Sequence, residues 1–206
     1  MKVSLTDAGK RYNRDWIFRH LTYEFSAEQS YAIIGPNGSG KSTLLQVISG
    51  SMLLSEGRGH WTMDSRQLAN DEVYNHVSIC APYLEVVEEM TLKEFLHFHH
   101  CFKPFLPDFT IEKIITLIGL EAAMNKQIRY YSSGMKQRVR LAQAIFSDIP
   151  VVLLDEPCTN LDAAGVSLYY QLIHDYCKNR LVVVSSNDEV EYEICRTRIN
   201  ISDYKK

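Results

Sequence analysis

The chain has 206 residues, a formal net charge of −3 and 46% hydrophobic residues, which is the composition of an ordinary globular protein with one domain and room for an inserted subdomain. No apolar run approaches the ~18 residues of a membrane-spanning helix, and the mild acidity lacks the basic footprint of a nucleic-acid binder. Five cysteines with no C-x-x-C pair argue against both a disulfide framework and a cysteine zinc site. The first residues, Met-Lys-Val-Ser-Leu-Thr-Asp, carry no long apolar stretch, so no signal peptide and a cytoplasmic location are expected.

In chain order, residues 2–6 read as a weak strand. Leu21, Tyr23 and Phe25 alternate with Thr22, Glu24 and Ser26 as a half-buried strand that pairs with it antiparallel. Residues 31–34 form a short apolar run that stops at Gly35, the mark of a buried strand entering a glycine loop. The pattern Leu44, Leu45, Val47, Ile48 then predicts a helix over 41–49 closed by Gly50, and a further strand is expected over 57–63. Thr91 and Glu94 make a capping box ahead of Leu92, Phe95, Leu96 and His99, and Ile111, Ile114, Ile115 and Ile118 repeat the helical spacing up to Gly119. Residues 88–135 therefore read as an inserted helical subdomain within a single 1–206 domain.

Ser133 is expected to cap a helix with Met135, Val139, Ala142 and Phe146 on its inner face. A buried strand over 151–154, a helix through Val166, Tyr169, Tyr170 and Ile173, and a strand over 181–185 follow. This alternation predicts an α/β fold: a mainly parallel sheet covered by helices, with an N-terminal antiparallel β subdomain.

The chemistry concentrates in two motifs. Gly35-Pro36-Asn37-Gly38-Ser39-Gly40-Lys41-Ser42, followed by Thr43, fits G-x-x-x-x-G-K-[ST] between a strand and a helix, the context of a P-loop NTPase. Glycines let backbone amides converge on phosphate oxygens, the helix N-terminus favours anions, Lys41 supplies a cation for the β- and γ-phosphates, and Ser42 supplies a hydroxyl for Mg²⁺. Asp155 and Glu156 sit at the end of the buried strand, where parallel sheets bind ligands. Asp155 is expected to orient Mg²⁺ and Glu156 to act as general base on a water.

Tyr131-Ser132-Ser133-Gly134-Met135-Lys136-Gln137-Arg138 resembles the L-S-G-G-Q signature of the ATP-binding cassette (ABC) family, with Ser132 and Gly134 matching and Ser133 and Met135 departing. The resemblance spans essentially the whole chain and implies an ABC-type P-loop ATPase fold with ATP and Mg²⁺ as cofactors. It implies an ATP-binding and ATP-hydrolysing transporter subunit, peripheral on the inner face of the cytoplasmic membrane. A second cassette, as a homodimer, would complete each site, and a separate transmembrane permease would be the partner. Tyr12 stands where the family stacks adenine, or is simply a strand residue. Asn160-Leu161-Asp162 matches the D-loop, and Asp162 also caps the next helix. Tyr83 and Asn187 occupy the places of a glutamine and a histidine that contact the γ-phosphate region, which implies slow hydrolysis, with Glu85 as a loop acid nearby. Phe98, Phe102 and Phe105 would line the groove that receives a helix of the membrane subunit. His97 and Cys101, one helical turn apart, either share a metal or belong to an aromatic core, and the second reading is preferred. A soluble non-transport cassette and a weakly hydrolysing regulatory subunit are the alternative functions.

Overall fold

The computed structural model describes residues 1–205, which divide into two compact units. Met1–Ile79, Pro150–Glu156 and residues 179–205 form the first; Cys80–Ile149 and Pro157–Lys178 form the second.

In the first unit, β1 (Lys2–Tyr12) and β2 (Asp15–Ser26) make a long antiparallel hairpin, and β4 (Glu56–Met63) and the two-residue β5 (Arg66–Gln67) complete a sheet of order β2-β1-β4-β5. Alternation drives it: Val3, Leu5, Phe18, Leu21 and Phe25 are fully buried while their neighbours face outward. β1 is longer than the 2–6 expected, because its second half is a bulged, charged segment with shifted register that periodicity does not reveal.

The second sheet has the order β6-β7-β8-β3-β9, from β3 (Ser30–Ile34), β6 (Val77–Cys80), β7 (Val151–Asp155), β8 (Leu181–Ser185) and β9 (Thr197–Asn200). β3 pairs parallel with β8 and β9, and β7 pairs parallel with β8. Every residue of β7 and β8 is buried, as their unbroken aliphatic runs require. β9 escapes sequence reading because only Ile199 of its four residues is buried. Helix α1 (Lys41–Ile48) lies against β7 and β8. Its C-terminal end is held by Gly50 at φ 74° and by the buried Trp61 indole, which donates to the Ile48 carbonyl at 2.8 Å.

In the second unit, α2 (Leu92–Phe102) and α3 (Ile111–Leu117) pack together, and α4 (Ser133–Phe146) packs on α2 and on α5 (Ala163–Tyr176). Thr91 and Glu94 form the capping box in full. The predicted cap of α4 moves by one residue. Ser132, in extended conformation, accepts the Met135 amide at 3.2 Å, and Ser133 is already helical. Met135 is only half-buried, whereas Val139, Ala142 and Phe146 are fully buried. The inserted segment 88–135 contains α2, α3 and two 3₁₀ turns, and the compact unit extends beyond it to include α4 and α5. A short helix, α6 (Glu189–Tyr192), follows β8 in the first unit. Among the described residues no helix is long and apolar enough to cross a membrane.

Candidate active site

The loop between β3 and α1 is shaped by glycines at three positive dihedral angles: φ 148° at Gly35, 73° at Gly38 and 107° at Gly40. Gly40 is required twice. It N-caps α1 in the left-handed region, and a side-chain carbon there would lie 2.3 Å from Ile17 Cγ2 of β2. Backbone amides are therefore free to turn inward at the N-terminus of α1. Lys41 is buried, and its ammonium donates to the carbonyls of Gly35 at 3.0 Å and Pro36 at 3.3 Å, so it crosses the mouth of its own loop.

Asn37, Gly38, Gly40, Lys41, Ser42 and Thr43 line a cleft of about 280 Å³ together with Ile17 and Glu156. The P-loop and the acid after β7 thus meet in one cavity. Ile17 is the wall that sequence reasoning missed, since a lone isoleucine in a half-buried strand carries no signal of its own. Glu156 reaches the cleft through an unusual backbone. Its φ is 45°, and its amide donates to the Ser185 carbonyl at 2.9 Å, which turns the chain sharply at the sheet edge. Asp155 is 3% exposed, and its Oδ1 has no hydrogen-bond partner within the protein. A buried carboxylate oxygen left unpaired is costly. Such an oxygen, with the Ser42 hydroxyl in the adjoining cleft, fits a hard divalent cation that takes oxygen ligands.

In the second unit, the N-terminus of α4 opens on another cleft, of about 430 Å³, lined among others by Ser132, Gly134, Arg138, Asn160 and Asp162. Gly134 has to be glycine here, because a side-chain carbon would sit 2.9 Å from the Asn160 carbonyl oxygen. Asp162 caps α5 by accepting the Gly165 amide at 2.8 Å and meets Arg138 at 3.4 Å. The signature-like segment and residues 160–162 are therefore one local structure. Behind it, buried Gln137 donates to the Pro157 carbonyl at 2.8 Å, and Arg140 donates to the Leu84 carbonyl at 2.8 Å and to Gln137.

The remaining candidates are not among the residues that line the two clefts. Tyr12 sits at the β1–β2 hairpin, half-exposed, with its hydroxyl on Met52 Sδ at 3.2 Å and the Lys10 ammonium 5.5 Å from its ring. Asn187 is exposed between β8 and α6, and Tyr83 is exposed in the turn closed by the Leu84 amide on the Ala81 carbonyl. Phe98 and Phe102 are exposed and stack edge to face at 5.1 Å, but Phe105 is not part of that surface. It is 6% exposed beneath the rings of His99 and His100, and its amide donates to His100 Nδ1. Cys101 Sγ donates to the His97 carbonyl.

Comparison with known proteins places this geometry. The family model described as ABC transporter matches residues 18–159. A cytochrome c biogenesis ATP-binding export protein of Xylella fastidiosa is 30% identical over 154 residues, covering 74% of this chain and 68% of the relative. Two solved structures share the fold. One, an ATP-binding protein ascribed to ABC transporters in Pyrococcus furiosus, has a TM-score of 0.83 at 20% identity and covers 100% of both chains. The other, a dimeric bacterial ABC transporter cassette, has a TM-score of 0.81 at 20% identity over 97% of this chain and 95% of its own. The chain belongs to the ABC transporter family and has the α/β P-loop fold of its ATP-binding cassettes.

Proposed function

We propose that the chain is the ATP-hydrolysing subunit of a transporter, working as a pair of cassettes on a separate membrane-spanning partner. The observation that carries the chemistry is the single cleft lined by Lys41, Ser42 and Glu156. In it the Lys41 ammonium exchanges the Gly35 and Pro36 carbonyls for the β- and γ-phosphate oxygens, and the amides of the loop from Asn37 to Thr43 hold the phosphate chain at the helix N-terminus. Asp155 and Ser42 would hold Mg²⁺, which would supply positive charge to offset that of the phosphate oxygens. Glu156 accepts a proton from the water that attacks the γ-phosphorus. The bond from that phosphorus to the bridging oxygen breaks, and ADP and phosphate leave.

The remaining half of each site comes from a second copy. Ser132 and Gly134 at the N-terminus of α4 form an anion-directed surface of their own, and the dimeric form of a solved bacterial cassette with this fold supports pairing of two copies here. Residues 88–135 serve as the helical subdomain that carries this surface, and the exposed pair Phe98 and Phe102 is the contact for the membrane subunit. Tyr12 contributes an aromatic face for the base. Tyr83 and Asn187, in place of a glutamine and a histidine, leave hydrolysis slow.

Nucleotide titration and phosphate release test this reading. The wild type binds ATP and releases phosphate only with Mg²⁺, and Lys41→Ala lowers ATP affinity by about 10²-fold or more, the scale of a lost charge-assisted contact. Equal ATP affinity in both proteins contradicts it.

A further inference from the structure

Among the described residues, three buried side-chain oxygens lack a hydrogen-bond partner within the protein: Ser39 Oγ, Asp155 Oδ1 and Ser185 Oγ. Ser39 belongs to the P-loop and Asp155 to the acidic pair, but Ser185 belongs to no motif. It is the last residue of β8, 0% exposed, and it is the register partner of Asp155 across the parallel β7–β8 pair. Register partners on adjacent strands project from the same face of a sheet. The two residues that carry unpaired oxygens are therefore neighbours on one face at the C-terminal edge, where the backbone turns into Glu156.

Each such oxygen, if left unmade, costs about 1–3 kcal/mol, and two of them on one pair of neighbours are not a packing accident of an otherwise aliphatic strand. The remainder of β8 is Leu181, Val182, Val183 and Val184, all buried. A carboxylate can only accept hydrogen bonds, whereas a hydroxyl both donates and accepts, and side chains on adjacent strands about 4.8 Å apart are within reach of one shared water oxygen. Ser185 is also tied to the candidate base, since its carbonyl accepts the Glu156 amide.

We infer that Ser185 is a positioning residue of the cation–nucleotide site: its hydroxyl and the Asp155 carboxylate together hold one water beside the divalent cation that accompanies the nucleotide. The inference rests on the proposed nucleotide function, and it makes an unusual thermodynamic demand. Removing a hydroxyl that serves only a bound state leaves the free protein as stable as before or more so, while the bound state weakens. A hydroxyl with a structural role behaves in the opposite way.

The test compares wild type and Ser185→Ala by two measurements: thermal midpoint without nucleotide or divalent ion, and Mn²⁺ affinity in the presence of ADP by electron paramagnetic resonance. The expected result is an unchanged or raised midpoint with Mn²⁺ bound about tenfold more weakly, as for the loss of one hydrogen bond to an ion-associated group. A lowered midpoint, or equal Mn²⁺ affinity in the two proteins, overturns the inference alone. A wild type that binds no nucleotide overturns the proposed function and the inference with it.

Discussion

Glu156 carries a backbone cost at the place where chemistry is proposed. A left-handed φ of 45° costs a residue with a side chain about 1–2 kcal/mol, and it persists because the amide is pinned to the Ser185 carbonyl and the preceding five residues are buried strand. Strain of this kind is stored where it sets direction: Asp155 stays buried while Glu156 turns into the P-loop cleft. Asn187 is the residue-scale departure with the clearest consequence. An asparagine can donate a hydrogen bond but has no cationic form, so it offers a phosphate oxygen a neutral contact where a protonated histidine would offer a charge-assisted one of roughly twice the strength. Asn187→His is expected to raise kcat with little change in ATP affinity. Steady-state phosphate release checks this, and a wild type already fast and unmoved by the substitution contradicts it.

At the scale of elements, α2 shows how a helix can be tied down by a neutral histidine. His99 Nε2 meets Ser147 Oγ at 2.8 Å, and that hydroxyl donates to the Gln143 carbonyl at 2.7 Å, so the ring nitrogen is the donor. Burial, with help from Lys103 and His100, pushes the His99 pKa down from its ordinary 6.5 to about 4. The fold therefore holds the neutral ring, and the unfolded chain takes up the proton first. The stabilisation is complete above pH 6.5 and is lost as pH falls from there toward 4. Denaturant midpoints measured across that window should drop for wild type and flatten for His99→Gln. Identical pH profiles would refute the linkage.

The same elements show what was legible in the sequence. Strand, glycine loop and helix at 30–48, the Thr91 capping box and the buried strands β7 and β8 announce themselves through period and capping chemistry. The second half of β1, the edge strand β9 and the cap at Ser132 do not. A bulge erases alternation, an edge strand with one buried residue has none to show, and two adjacent serines offer the same capping chemistry. The P-loop residues and Glu156 line one cleft, whereas Ile17 and Ser185 become meaningful only through a neighbour from another strand. Phe105 departs from the expected groove because the i, i+4, i+7 spacing of Phe98, Phe102 and Phe105 puts three rings on one helical face only if the helix continues, whereas α2 ends at Phe102 and Phe105 packs under His99 and His100.

At the scale of the whole molecule, each of the two compact units carries a cleft of its own. The first holds the P-loop, Asp155 and Glu156, and the second holds Ser132, Gly134 and the segment 160–162. In the proposed assembly these clefts face each other between copies, with ATP as the shared ligand and affinity differing between closed and open pairs. The proposed contact for a membrane partner uses neither cleft, so replacing both Phe98 and Phe102 by serine should abolish co-purification with a multi-span membrane protein in detergent and leave ATP affinity intact. Loss of both properties together would argue for a folding defect instead of a docking surface. The central claim, a half-site that needs a second copy, is tested most directly by light scattering of Glu156→Gln, in which ATP is bound but not consumed. With Mg²⁺ and ATP the mass should double from 23.7 kDa, and with ADP it should not. A mass that remains monomeric at saturating ATP, together with wild-type hydrolysis per chain independent of protein concentration, would contradict the account.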